Sequence, residues 1–344
     1  MLYVTTRNNR DAFTASRTLS ENRGPDGGLY VPLRMPEFSA AEIAGLSEKS
    51  FNQSVCDVLN LLFSTQLNSW DVDFTTGRRP VRLHPISHRV VMAECWHNPD
   101  WNFDRMVRDL TGLLRGKRGE EKLPSQWAKI AVRGAVLFGI FGELMRSGIT
   151  EKGKKVDISL VSGDFSGPMA AWYARKWGLP IGRIICCCNE NNAPWELLHQ
   201  GVMKTGTVAL DTQMPEADVA VPENLERLVY ACGGVSEVQR YVDTCRVGRS
   251  YFPDEALLER MREGMYVSVV SKNRLDTTIP SVYRSHGYVL GHYSALAYSG
   301  LLDCRSRTGE IADAVILSDQ GVLCGADMVS DAMGISEEEL HRLL

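Results

Sequence analysis

The sharpest periodicity in the chain runs through "SQWAKIAVRGAVLFGIFGELMRSG" (125–148), where Trp127, Ile130, Gly134, Leu137, Phe138, Phe141, Leu144 and Met145 recur on one side at helical spacing. This predicts one long buried helix, with Ser125 placed to cap its start and Gly148 to end it. Helical period also shows over 40–46 and 53–63. The stretch "SENRGPDGGLYVP" (20–32) has a different character: Pro25, Gly27 and Gly28 force a tight reversal before the short strand-like "LYV".

After the charged turn at 150–155 the period changes again. "VDISLV" (156–161) reads as a strand, "SGDFSG" (162–167) as a loop, "PMAAWYARKW" (168–177) as a helix with proline in its first turn, and "RIICCC" (183–188) as a second strand. Strand, helix and strand at this spacing predict a right-handed parallel unit, so the chain is an α/β protein. At the far end "SEEELHRLL" predicts an acidic amphipathic helix opened by a capping box.

With 344 residues, 44% of them hydrophobic, the chain can bury a large core as two lobes or as one large domain with an appendage. A net charge of −4, without any run of five basic residues, argues against nucleic acid as a partner. The charged opening "MLYVTTRNNRD" is unlike an export signal. The most apolar stretch, "GAVLFGIFG" (134–142), is about half the ~20 residues a bilayer needs, so no membrane anchor is expected. The nine cysteines include no CxxC pair, and Cys186, Cys187 and Cys188 would alternate faces of a strand. They read as reduced core residues of a cytoplasmic protein, not as metal ligands.

The loop Ser162, Gly163, Asp164, Phe165, Ser166, Gly167 is the first candidate for chemistry. A Gly- and Ser-rich turn at a helix N-terminus presents unpaired N–H groups at the positive end of the helix dipole, which suits a phosphate. Many parallel folds use such turns without any ligand, and the carboxylate of Asp164 would oppose an anion unless it turns away.

Several stretches together resemble the threonine synthases, pyridoxal-phosphate (PLP) enzymes of fold type II with the tryptophan-synthase-β fold. "PDGGLYVP" (25–32) is similar to that family's opening signature, and "SGDFSGPMAAWYARKWGLPIGRIICCCNENN" (162–192) to its phosphate-loop segment. "SQWAKIAVRG" (125–134), "NLERLVY" (224–230) and "YRSHGYVLGHYSALAY" (283–298) resemble further family stretches in collinear order. The resemblance implies a three-layer parallel-sheet fold. It divides the chain into an N-terminal region 1–92, a remnant 93–150 of the small domain with the active-site helix, and a large α/β domain 151–344.

The departures fall on the chemistry. Matching Glu94, Trp96, His97, Pro99 and Phe103 of "ECWHNPDWNFDRMVRDL" (94–110) to the family places Asp104 where the cofactor-binding lysine stands, followed by Arg105. A carboxylate cannot condense with an aldehyde, nor shuttle the substrate proton as the lysine amine does. Lys117, the nearest lysine along the chain, lies in the polar "RGKRGEEK" turn and reads as a solvated charge. Only 57 residues lie between Asp104 and Ser162, and no stretch there matches the family's substrate-carboxylate loop, which implies a reduced small domain. The family's D-P-H-T becomes Gly291, His292, Tyr293 and Ser294, and "SDQGVLCG" (318–325) replaces the stretch whose hydroxyl serves the cofactor ring nitrogen, leaving Ser318 as the match.

The reading that follows is a threonine-synthase-like protein without imine chemistry, acting as a non-catalytic binding or regulatory homologue. No covalent cofactor is expected, and PLP or phosphate held non-covalently stays open. The alternatives are an enzyme of changed chemistry, which holds a phosphorylated small molecule in the old cleft with Asp104 or His97 as acid or base, and a residual PLP-dependent lyase. Lone histidines such as His97 more often serve structure. Loss of a covering domain predicts exposed apolar surface near 96–103 and 138–144, to be shielded by self-association or a protein partner.

Overall fold

Parallel pairing of β6 (Val156–Val161) with β7 (Ile181–Cys188) places the 162–167 loop at the C-terminal end of a sheet, where ligands of open α/β folds bind. The structure, a computed structural model, describes residues 1–76, 81–96, 102–117 and 123–344. Within these, a six-stranded sheet has the order β4-β5-β9-β6-β7-β8, with β4 (Arg82–Ser87), β5 (Val90–Glu94), β8 (Met265–Val269) and β9 (Ala314–Ser318). Only the edge pair β4–β5 is antiparallel. β5 pairs with β9 from Val90↔Ala314 to Glu94↔Ser318, so strands on both sides of the expected 92/93 division share one sheet. A separate antiparallel sheet, β2-β1-β3, is built from β1 (Leu2–Thr5), β2 (Phe13–Thr14) and β3 (Tyr30–Pro32), the last following the predicted reversal.

Helices cover both faces of the large sheet, giving the three layers expected of a fold-type-II enzyme. On one face lies the helix Gln126–Arg146, whose start is capped by Ser125 through the Ala128 N–H and which ends before Gly148 in the left-handed region. It packs against Phe51–Phe63 and Ser166–Lys176. Its glycines permit the approach: a Cβ on Gly134 would lie 2.6 Å from the Trp177 ring. The other face carries His292–Thr308. Cys186 and Cys188 pack into the first core and Cys187 into the second, the alternation expected of a buried strand.

Over 138–144 the expected apolar surface is not found, and of the stretch 96–103 the residues 97–101 lie outside the described ones. Phe138, Phe141 and Leu144 are fully buried and Phe103 nearly so, because the Phe51–Phe63 helix and the aromatic cluster around Trp177 cover the long helix. Self-association therefore gains no support from that surface. Among the described residues no helix is long and apolar enough to cross a membrane, and no group of three or more His, Cys, Asp or Glu side chains is arranged to hold a metal.

Candidate functional site

Two helices, a loop and two further segments converge on a cleft of about 260 Å³ at the C-terminal end of the sheet. The helix Phe103–Leu114 contributes Asp104 from its first turn, started by Asn102, whose side chain accepts the Arg105 N–H. The long helix contributes Lys129 and Arg133, one turn apart. The loop 162–167 forms the floor, and Glu216 and Asp319 come from the segments beside it.

The floor is tightly constrained. Gly163 has φ +44°, and a Cβ there would sit 2.7 Å from the Glu216 carbonyl oxygen, so the chain crossing above needs glycine below it. Phe165 also adopts a left-handed conformation (φ 65°) while its ring is fully buried. Of the six predicted loop residues, Phe165 thus serves the core with its side chain and the turn with its backbone. The Ser166 N–H donates to Asp164 Oδ1 at 2.9 Å, and Asp164 Oδ2 faces Lys129 Nζ at 3.7 Å. Asp164 therefore occupies the helix N-terminus itself, as an N-terminal carboxylate does. Its carbonyl accepts the Asn224 side-chain amide at 2.9 Å, and Asn224 is held in turn by the buried Arg227.

The walls are rich in carboxylates. Arg133 Nη1 donates to Asp319 Oδ2 at 2.5 Å, and its guanidinium lies 4.0 Å from the Phe103 ring centroid. Gln320 Nε2 donates to Glu216 Oε1 at 2.6 Å and lies 3.4 Å from Asp104 Oδ2, while Gln320 Oε1 accepts from Asn102. Burial, with Asp104 and Asp319 nearby, pushes the Glu216 carboxyl up to about 7. Burial also raises Asp104, partly offset by Arg133. Arg105, next in sequence, turns away to Asp109 at 3.8 Å, as expected for helix neighbours.

Of the predicted residues, Asp104 and the loop meet in this cleft. Ser318 does not line it: the residue is 2% exposed, and its hydroxyl accepts the Trp96 indole N–H at 3.1 Å and shares a hydrogen bond with Ser294 at 2.8 Å. His97 lies outside the described residues. Lys129, Arg133, Glu216, Asp319 and Gln320 were not anticipated. The first two carried a signal, a Lys and an Arg four apart on a strongly predicted helix. Asp319 and Gln320 follow Ser318 in the stretch 318–325 that the resemblance had already singled out, whereas nothing in the local pattern marked Glu216.

These residues do not fit imine-bound PLP. Asp104 stands where the resemblance sets the lysine, and Lys129, the only lysine lining the cleft among the described residues, is engaged with Asp164. The Ser166 amide that would greet a phosphate is taken by Asp164, and the Ser318 hydroxyl that would greet a ring nitrogen is enclosed by the Trp96 N–H, which it accepts, and by Ser294 and the Gln320 carbonyl, which it can donate to. Against two cations stand four carboxylates, Asp104, Asp164, Glu216 and Asp319, a poor setting for a phosphate ester.

Residues 2–75 match the family model described as threonine synthase N terminus. The chain is 24% identical over 195 residues to Threonine synthase-like 1 of Homo sapiens, covering 55% of this chain and 26% of that protein. It is 26% identical over 200 residues to threonine synthase of Pseudomonas aeruginosa, covering 56% and 40%. It therefore spans well under two thirds of the length of either relative. Its fold is that of the PLP-bound threonine synthase of Brucella melitensis (TM-score 0.83, 19% identity, 97% of this chain and 92% of that one) and of the yeast threonine synthase (TM-score 0.83, 16% identity, 99% and 93%). The chain thus carries the threonine synthase N-terminal domain over residues 2–75, has threonine synthases and Threonine synthase-like 1 among its relatives by sequence, and has the fold of the threonine synthases.

Proposed function

We propose that this chain is a threonine synthase relative that has left imine chemistry and uses the cleft to bind a small molecule without covalent attachment, as a binding or regulatory protein. The observation that carries this reading is the Asp164 carboxylate seated on the Ser166 N–H and backed by Lys129: an internal anion and cation fill the contacts that a cofactor phosphate needs. Asp104, in the same cleft at the position the resemblance gives to lysine, supports it. A phosphorylated ligand, or PLP held non-covalently, binds only by displacing Asp164. Incubation with PLP followed by borohydride reduction and peptide mass spectrometry should leave every lysine unlabelled. One stoichiometrically labelled lysine, Lys129 above all, would overturn the reading.

A second reading, an enzyme of changed chemistry, draws on Glu216. A carboxyl poised near neutrality beside Asp104 is a pairing that acid–base catalysis uses. On this reading Glu216→Gln abolishes turnover of a substrate found by metabolite screening while leaving its binding intact.

A further inference from the structure

We propose that a second cavity, at the opposite end of the large sheet from the cleft, is a binding site for a small carboxylate with an apolar tail, held by Arg89, Lys154 and Thr150. It encloses about 320 Å³ at the N-terminal ends of β5, β6 and β9. It shares no lining residue with the cleft, and is a site whatever the cleft binds.

The space arises where the long helix stops. Arg146 is its last residue, the chain reverses through Gly148 (φ 68°), and the Ile149 and Thr150 N–H groups fold back onto the Leu144 carbonyl at 2.9 and 3.3 Å. Leu144 and Ile149 thus line the cavity from the helix end, and Val91, Val156 and Val315 line it from the strand starts. Walls of this kind suit an aliphatic or aromatic tail.

The polar lining carries positive charge in excess. Asp313 is the only acidic side chain lining the cavity among the described residues, and two cations share it, Lys154 Nζ at 2.7 Å and Arg89 Nε at 3.7 Å. The Arg89 backbone is held in the left-handed region (φ 60°), its carbonyl accepting the Ala314 N–H at 3.0 Å and Arg305 Nη2 at 3.1 Å. Glycine or asparagine meets that conformation at lower cost, so an arginine there points to a use for its side chain. Thr150 also lines the cavity, is 7% exposed, and its buried hydroxyl has no hydrogen-bond partner among the described residues. An unpaired buried donor is destabilising, and a carboxylate entering the cavity supplies the acceptor. The same carboxylate meets two cations against one acid, whereas the cleft sets four acids against two cations and repels it.

Titration of 3-methylbutanoate into protein with 13C-labelled Val, Leu and Ile methyls, followed by NMR, tests the site. The methyls of Val91, Val156, Val315 and Ile149 should shift saturably, while those of Val107 and Val161 in the cleft stay still. 3-Methylbutanamide, which keeps the shape without the charge, and acetate, which keeps the charge without the tail, should each bind severalfold more weakly. Arg89→Asn, which tolerates the left-handed turn, and Lys154→Gln should weaken the carboxylate severalfold and leave the amide unchanged. Thr150→Val should weaken it as well without lowering the urea midpoint of the free protein, since it removes an unpaired hydroxyl. Equal affinity for acid and amide would reveal an apolar cavity without a carboxylate site and overturn the proposal. So would shifts confined to the cleft methyls, or no saturable shift at all. These readings use the unsubstituted chain, so a variant that fails to fold leaves the test intact.

Discussion

The carboxylate of Asp164 accepts the backbone N–H of Ser166 at 2.9 Å, so the helix that begins there carries its own anion. Any phosphate bound at this turn competes with a tethered group at very high effective concentration and is repelled by its charge. Asp164→Asn keeps an oxygen for the cap and removes the charge. Calorimetry with inorganic phosphate should show tighter binding to the variant, by about tenfold if removing the repulsion is worth about 1.4 kcal/mol. Equal or absent binding in both proteins would mean that the loop is only a turn.

Asp104→Lys should not restore threonine synthesis. The substitution supplies an amine within the cleft, but the Ser166 amide remains occupied by Asp164 and the Ser318 hydroxyl by Trp96, Ser294 and the Gln320 carbonyl. Misplacing a positioned acid or base group costs about two to four powers of ten in rate. Phosphate release from phosphohomoserine by the variant should match a denatured control, and a rate clearly above it would show that the altered contacts are dispensable.

His292 gives the fold an acid-sensitive point. It is 2% exposed, its Nδ1 has no hydrogen-bond partner among the described residues, and burial pulls its value down to about 4. A histidine depressed in the folded state charges first in the unfolded chain. Stability is therefore full above about 6.5 and falls as pH drops toward 4, by up to about 3 kcal/mol. Glu216 contributes a slope of opposite sign, since a raised carboxyl stabilises most at low pH and loses that contribution as pH rises toward 7. The His292 contribution is therefore read as a difference: from pH 7 to pH 4 the urea midpoint of the natural chain should drop relative to that of His292→Asn.

Gly134→Val should destabilise by about 1–3 kcal/mol, since even a Cβ there would lie 2.6 Å from the Trp177 ring, and larger groups must displace it. The urea midpoint reports the loss, while the far-UV spectrum at zero denaturant should be unchanged.

The long helix, the β6–β7 unit and the C-terminal capping box were legible because each rests on local periodicity or on a cap a few residues away. The same holds for the alternation of Cys186, Cys187 and Cys188. The expectation of bare apolar surface over 138–144 failed because Phe138 packs on Phe38 and Trp177 and the long helix lies against Phe51–Phe63, all distant in sequence, and no periodicity records which distant element lies opposite. The cleft divided along the same line. Asp104 and the 162–167 loop sit on recognisable segments, whereas Glu216, Asp319 and Gln320 lie in irregular chain, and only the tertiary fold brings them to Arg133. The capping role of Asp164 was hidden too, since from sequence the carboxylate could face either way.

The first strands reach farther into the cleft than their position in the chain suggests. The carbonyl of Tyr30 in β3 accepts from Arg227 Nε, Arg227 grips Asn224, and Asn224 holds the carbonyl of Asp164, while Thr6 and Arg7 bind the neighbouring Glu226. The small sheet is thus a brace for the turn on the cleft floor. Shortening the chain at its N-terminal end would slacken a loop more than 130 residues downstream, which ties retention of that domain to the shape of the binding surface.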